Sequence, residues 1–133
     1  DSIGDDYVYI DRMWIANRFL NVEFVYPGYN KMHYINLVYD STKTYTDGKV
    51  HLEFRHNSNG DYPSYNKYGI VSFNLSSLET NAVDSVQLVV HANEYDHTPS
   101  ATTYNLTYKF GSTTNAGIKP NKLILENLDR KYR

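Results

Sequence analysis

The feature that most constrains this chain is a series of short segments in which apolar and polar residues alternate. The segment 19–26 shows it most clearly, because an apolar residue stands at every second position from Leu20 to Tyr26, with Asn21 and Glu23 between them. A pleated strand sends successive side chains to opposite faces, so this segment forms a strand with one face buried. The first segment follows the same rule, which places Val8, Ile10 and Trp14 together on one face.

Seven segments have this character, and turn residues separate them. They are 7–16, 19–26, 32–40, 49–56, 70–75, 85–92 and 103–110. Pro27–Asn30 and Asp47-Gly48 are turn signals, and 76–84 is predicted as a connection with one helical turn. No segment shows convincing 3.6-residue periodicity. The pattern predicts an all-β fold, an antiparallel β-sandwich of about seven strands with a polar C-terminal tail.

The length of 133 residues fits one domain with one core. We expect the β-sandwich to span residues 1–110 and a flexible tail to span 111–133. The tail contains a short apolar patch at 123–128, which is either a final edge strand or one helical turn. Because the chain begins with Asp1 and no leader, we expect any targeting segment to lie upstream in the full-length protein.

Composition excludes several function classes. Thirteen basic and fifteen acidic residues give a net charge of −2, so nothing predicts a nucleic-acid partner or a broad attraction to anionic membranes. The absence of cysteine excludes disulfides, thiolate zinc sites and cysteine nucleophiles. No apolar run approaches the roughly 20 residues that a membrane-spanning helix needs.

The strongest catalytic candidates are His51 and Glu53, which share the outward face of one predicted strand with Arg55. A histidine base oriented by a carboxylate is the arrangement that a hydrolase uses. The alternative is an exposed ladder of polar cross-strand pairs, and no nucleophile adjoins these residues in sequence. We therefore predict no catalytic residues and no enzymatic activity.

Metal sites are also weakly indicated. His33 and His56 lie on otherwise apolar faces, which predicts buried or semi-buried neutral histidines bonded to a carbonyl or a tyrosine hydroxyl. His91 and His97 flank a polar segment where they converge on a cation or belong to a solvated loop. The segment 57–61 resembles part of a calcium loop, but its twelfth position is Tyr68 instead of the required glutamate. We predict a structural turn there, with no metal and no cofactor.

Tyrosine supplies the candidate binding site. The chain has 14 tyrosines, and Tyr62, Tyr65 and Tyr68 lie in one predicted loop while Tyr95 lies in another, beside Asp96 and His97. Planar rings beside polar groups are suited to stacking on a sugar. A protein interface and packing of the loops by their own hydroxyls are the two alternatives. These four tyrosines are the predicted ligand-binding residues.

The order of strand motifs resembles a known family. These motifs are Trp14, Leu20–Phe24, His33–Val38, His51–Asn57 and Val71–Leu75, and together they are similar to the C-terminal domain of NigD-like proteins. The resemblance covers about residues 3–110. It implies a β-sandwich preceded in the full-length protein by an OB-type domain and a lipobox cysteine, in a lipid-anchored envelope protein of Bacteroidetes. The family has no established biochemical activity, so the resemblance implies no catalytic residues.

Together, the residues and the resemblance predict a non-catalytic module of a cell-envelope lipoprotein. We expect it to bind an unknown envelope protein or another envelope partner, and to contact the membrane only through a lipid anchor. A carbohydrate-binding module that uses the loop tyrosines is the alternative.

Overall fold

The alternating segments become strands of five to twelve residues. The computed structural model describes residues 3–96, 98–111 and 115–116, with the backbone alone at 95, 96, 98–101, 115 and 116. The strands are β1 (Tyr9–Ala16), β2 (Phe19–Gly28), β3 (Tyr34–Val38), β4 (Val50–Asn57), β5 (Tyr65–Asn74), β6 (Ser85–Asp96), β7 (Thr98–Lys109) and the two-residue β8 (Asn115–Ala116). A single 3₁₀ turn, Ser76–Leu78, lies in the predicted connection. Across the described ranges, no helix has the length and apolar character needed to cross a membrane.

The strands form two four-stranded sheets, which confirms the predicted all-β sandwich. The first sheet has the order β5-β2-β1-β8, and the second has the order β3-β4-β6-β7. One pairing departs from the antiparallel rule, because β4 and β6 run parallel. Between them the chain crosses to the first sheet as β5 and returns, and parallel neighbours require a long connection of this kind.

Four strands, β2, β5, β6 and β7, extend beyond their predicted ends. Strand β2 continues through Pro27 and Gly28, which were predicted as a turn, because these residues pair with Asn66 and Tyr65 of β5. Proline is tolerated there since the pairing of β1 with β2 ends at Val25, so one neighbour alone remains. Strands β6 and β7 likewise pair at residues 93–96 and 98–102, which were predicted as part of a polar loop. In each case backbone pairing overrides the low strand propensity of the side chains.

A β-bulge in β1 changes which side chains face the core. Ile10 pairs with Phe24 and Arg12 with Glu23, so Asp11 is one residue in excess of β2. The extra residue shifts the alternation by one position. Met13 and Ile15 therefore pack into the same core as Ile10, while Trp14 lies on the opposite face of the sheet. The prediction that Trp14 shares the face of Val8 and Ile10 was wrong for this reason.

The main core fills the space between the two sheets. Its buried members are Val8, Ile15, Leu20, Val22, Phe24, Tyr26, Leu52, Phe54, Leu75, Leu88, Val90, Ala92 and Tyr108. Gly69 is needed beside Phe24, because a Cβ at this glycine would lie 2.8 Å from Phe24 Cζ. Packing of the core therefore requires a glycine at position 69, because the Phe24 ring leaves no room for a side chain there.

The outer face of the first sheet carries a second, smaller buried group. Trp14, Ala16 and Ile70 form its apolar part. Beside them the buried carboxylate of Glu23 accepts hydrogen bonds from Arg12 and from the hydroxyl of Tyr68. Arg12 also lies over the Trp14 ring, 5.0 Å from its centroid.

The predicted tail, 111–133, falls mainly outside the described residues. At Asn115–Ala116 the chain pairs with Ala16 and Ile15 at the edge of the first sheet. The apolar patch at 123–128 lies outside the described residues.

Candidate functional site

Three exposed tyrosines lie at one end of the first sheet. Tyr29 follows β2, Tyr65 begins β5 and Tyr62 lies in the connection before it, and these side chains are 48%, 59% and 71% exposed. The rings of Tyr29 and Tyr65 stack, with centroids 5.9 Å apart and planes 24° from parallel. We call Tyr29, Tyr62 and Tyr65 the tyrosine end.

The carboxylate of Asp61 holds the backbone of the tyrosine end. Its Oδ2 accepts the N–H of Tyr29 at 2.6 Å, and its Oδ1 accepts those of Asn30 at 3.1 Å and Tyr62 at 3.0 Å. Burial alone would raise the pKa of Asp61, but hydrogen bonds from His33 and from these backbone groups outweigh it and hold the pKa well below its usual range. Asp61 is therefore a carboxylate that orders two segments of chain at once.

Two buried histidines continue inward from Asp61. His33 Nε2 lies 2.8 Å from Asp61 Oδ2, and His33 Nδ1 lies 2.7 Å from His56 Nε2. His56 Nδ1 lies 3.2 Å from the carbonyl oxygen of Tyr7, and the Tyr26 ring packs against both imidazoles. Burial, and then the nearby His33, lower the pKa of His56 to about 4. We call Asp61, His33 and His56 the buried chain.

The burial predicted for His33 and His56 is confirmed, since they are 4% and 1% exposed. His56 faces a carbonyl as expected, but the contact between the two rings and the contact with Asp61 were missed. Gly28 makes room for them, because a Cβ there would lie 3.0 Å from His33 Nε2 and 3.1 Å from Asp61 Oδ2. A sequence signal did exist, as both histidines interrupt apolar faces.

Of the four predicted ligand-binding tyrosines, Tyr62 and Tyr65 belong to the tyrosine end and Tyr68 binds elsewhere. Tyr65 stacks on Tyr29, which was predicted only as part of a turn, and Asp61 binds the backbone N–H groups of both Tyr29 and Tyr62. Tyr68 lies three residues from Tyr65 on the same strand, and its hydroxyl donates to Glu23 on the outer face of the first sheet. Tyr95 lies in β6 instead of a loop, and its side chain is outside the described part.

The segment 57–61 is a turn, as predicted. Asn57 Oδ1 accepts the N–H of Asn59 at 2.9 Å, and Asn59 and Gly60 both have positive φ angles, of 58° and 66°. Asp61 then directs its carboxylate inward to His33. Within residues 3–96, 98–111 and 115–116, no group of three or more potential ligands is arranged to hold a metal ion. His97 lies outside these ranges.

A second pair of histidines lies on the outer face of the second sheet. His51 Nε2 is 2.9 Å from Asp47 Oδ2, and His51 Nδ1 is 2.8 Å from His91 Nε2. The Tyr45 ring stacks on His51 with centroids 3.4 Å apart. Burial, followed by the charge of His51, lowers the pKa of His91.

The pairing of His51 with Glu53 that a hydrolase would need, and that was not expected, does not form. Glu53 accepts from Lys43 Nζ at 3.0 Å and from Arg55 Nη1 at 2.9 Å. The carboxylate beside His51 is Asp47, from the Asp-Gly turn that precedes β4. Glu53 is engaged by the two cations Lys43 and Arg55, whereas the turn brings Asp47 within hydrogen-bond distance of the His51 ring.

Comparisons with known proteins agree with this fold. A solved structure of a putative toxin-related protein from Parabacteroides distasonis is 32% identical, has a TM-score of 0.66, and is matched over 82% of this chain and 54% of its own. A protein of unknown function from Bacteroides vulgatus is 31% identical with a TM-score of 0.71, over 96% of this chain and 59% of its own. A NigD-like immunity protein from Bacteroides caccae is 21% identical with a TM-score of 0.68, over 80% and 56%.

The chain thus spans little more than half the length of these proteins. None of the curated proteins matches it. The family model described as the NigD-like C-terminal beta sandwich domain matches residues 1–108. The chain belongs to this NigD-like family, as a C-terminal β-sandwich domain.

Proposed function

We propose that this domain is a non-catalytic binding module that recognises a protein partner through the tyrosine end. The observation that carries the proposal is the exposed, stacked pair of Tyr29 and Tyr65 beside Tyr62. Each ring offers a large contact area and a polar tip, and tyrosine loses few rotamers on binding. Asp61 fixes the backbone beneath the rings, so the surface is largely ordered before a partner arrives.

Two features favour a protein over a glycan as the partner. Tyr29 and Tyr65 stack on each other, so one face of each ring is already covered and fewer open faces remain for a sugar. Met32 lies in the connection between β2 and β3, as Tyr29 does, and is 48% exposed. Methionine, like tyrosine, is enriched at protein interfaces.

A binding role also suits the way the ionisable groups near the tyrosine end are used. Both oxygens of Asp61 accept backbone hydrogen bonds, and His33 and His56 are buried beneath the surface. These groups stabilise the site and do not reach a substrate outside it. We therefore assign the tyrosine end to recognition and not to chemistry.

We propose further that the full-length protein presents this domain from a lipid anchor in the cell envelope. The proposal rests on membership in the NigD-like family and on the similarity to proteins of Bacteroides and Parabacteroides. Metabolic labelling of the full-length protein with a clickable fatty acid tests it. We expect label in the membrane fraction, and an unlabelled protein in the soluble fraction would contradict the anchor.

Site-specific photocrosslinking tests the binding proposal. A benzophenone amino acid replaces Tyr62 in the domain, which is then illuminated with envelope extract from the source bacterium. We expect one dominant protein adduct, which mass spectrometry identifies. The matched control carries the same crosslinker at Tyr39, which is 62% exposed and lies after β3, away from the tyrosine end.

Affinity measurements with the purified partner then separate a protein partner at the tyrosine end from a glycan ligand. Replacing Tyr62 and Tyr65 by alanine should weaken binding at least tenfold, because aromatic hot spots each contribute on the order of 2 kcal/mol. Tyr39→Ala should leave it unchanged. Equal adducts at positions 62 and 39, or a glycan-array signal that disappears in the double variant, would contradict a protein partner at this site.

A further inference from the structure

The buried chain contains one more hydrogen bond than two neutral imidazoles can supply. Its three links join Asp61 Oδ2 to His33 Nε2, His33 Nδ1 to His56 Nε2, and His56 Nδ1 to the carbonyl of Tyr7. Both ends of the chain are acceptors. Each link needs one hydrogen, so three are required, whereas two neutral rings carry two.

The extra proton belongs on His33. Asp61 does not carry it, because both of its oxygens already accept backbone N–H groups. His56 lies deeper, at 1% exposure, and its ring bonds His33 and the Tyr7 carbonyl instead of a carboxylate, so burial outweighs the attraction of Asp6 and favours the neutral form. His33 touches the Asp61 carboxylate directly at 2.8 Å, which is where a buried positive charge is compensated.

We infer that the buried chain stores one proton as a His33 imidazolium paired with Asp61, and that this charge holds the tyrosine end in its binding arrangement. The inference deepens the proposed function, on which its biological meaning rests, by naming a regulation of the same site. The same carboxylate bonds His33 on one side and the backbone of Tyr29 and Tyr62 on the other. Loss of the proton leaves one link without a hydrogen and removes the cation that lies beside the Asp61 carboxylate.

Two other ionisable groups face the histidine pair, from the N-terminal segment and from β2. Burial raises the pKa of Asp6, but its hydrogen bonds and its attraction to His56 and His33 outweigh burial, so the pKa is lowered and Asp6 stays charged. Tyr26 packs on both rings, and burial and Asp61 raise its pKa, so it stays neutral. These neighbours each keep one charge state, so the proton on His33 is the variable that holds the tyrosine end, and its loss loosens that end.

Nitrogen-detected NMR of the histidine rings tests the stored proton without any partner. At pH 7 we expect both ring nitrogens of His33 to be protonated, and His56 to be neutral with its proton on Nδ1. His51 and His91 are the internal reference in the same spectrum, because their two links to each other and to Asp47 are satisfied by two neutral rings. A neutral His33 at pH 7 overturns the inference.

Hydrogen exchange then tests the connection to the tyrosine end. Above the pH at which His33 loses its proton, the protection factors of the Tyr29, Asn30 and Tyr62 amides should fall by about tenfold, the cost of one weakened charge-assisted hydrogen bond. Asp61→Asn should produce this fall at pH 7, and Asp47→Asn should not. Unchanged protection through the deprotonation of His33 would show that the charge does not control the site.

These results are independent of the crosslinking result. Failure to find a protein partner, with the NMR outcome as expected, removes the proposed function and leaves the stored proton in place. A partner found at Tyr62 whose affinity does not change across the deprotonation of His33 removes the regulation and leaves the binding function.

Discussion

At the scale of single residues, the buried carboxylate of Glu23 depends strongly on its hydrogen-bond partners. It is 2% exposed on the outer face of the first sheet, where Arg12 and Tyr68 provide its hydrogen bonds. A buried charge is tolerated when its partners are present, and is costly when one is removed.

Replacing Arg12 by alanine should lower the free energy of unfolding by about 3 kcal/mol, because Glu23 would keep its burial without its cation. Urea unfolding at pH 7 measures the loss. The matched control is Lys43→Ala, which removes the exposed partner of Glu53 and should lower stability far less, because solvent screens that ion pair. Equal losses for the two variants would contradict the importance of burial at Glu23.

Gly69 offers a second test at this scale. A Cβ there would lie 2.8 Å from the Phe24 ring, so Gly69→Ala should destabilise the protein by about 1–3 kcal/mol through overpacking. Adding Phe24→Leu to Gly69→Ala should recover part of that loss, since the smaller side chain vacates the clash. Strictly additive losses in a double-mutant cycle would show that the two residues do not compete for space.

At the scale of the strands, alternation predicted where strands exist better than where they end. It identified β1 to β7, because burial of one face leaves a period-2 signal in the side chains. It missed the ends of β2, β5, β6 and β7, because those extensions depend on backbone pairing, which carries no such signal. It also missed the bulge at Asp11, which depends on the count of residues opposite β2.

Deleting Asp11 should therefore be far more damaging than replacing it. The deletion restores simple alternation and turns either Ile10 or Met13 and Ile15 away from the core, at an expected cost above about 3 kcal/mol. Asp11→Ala keeps the count and should change stability by less than about 0.5 kcal/mol. Thermal unfolding followed by circular dichroism compares the two, and a harmless deletion would show that the register tolerates a slip.

At the tyrosine end too, local sequence identified individual residues but not the contacts that strand pairing creates. The sequence pattern singled out Tyr62 and Tyr65 as candidates, because tyrosines beside polar residues stand out in a short segment. Tyr29 was missed because its proximity to Tyr65 depends on the pairing of Gly28 with that residue. The buried chain joins residues 23 to 28 positions apart, so local patterns do not reveal it.

At the scale of the whole molecule, the histidines make stability depend on pH. The pKa of His56 is about 4 in the folded protein, against roughly 6.5 in an unfolded chain. Below a pH of about 6.5, His56 binds a proton in the unfolded chain but stays neutral in the folded protein, so stability is lost as the pH falls towards 4. The lowered pKa of His91 acts in the same direction.

We expect the free energy of unfolding to fall by about 3 kcal/mol between pH 7 and pH 4 from His56 alone, because each pH unit between its folded and unfolded pKa values contributes about 1.4 kcal/mol. Urea titrations at half-unit steps of pH measure the slope. His56→Gln should reduce the slope of the free energy of unfolding against pH between pH 7 and pH 4, whereas His51→Gln should leave the contribution of His56 intact. A His56→Gln protein with the slope of the parent would show that other groups cause the acid sensitivity.

The bulge also decides what the chain's single tryptophan reports. Because Trp14 is fully enclosed on the outer face of the first sheet, with Arg12 over its ring, its emission senses that face and not the space between the sheets. Intrinsic fluorescence should therefore shift to longer wavelength in Arg12→Ala while the near-ultraviolet dichroism of the core tyrosines stays unchanged. Tryptophan fluorescence therefore reports on the first sheet separately from the second.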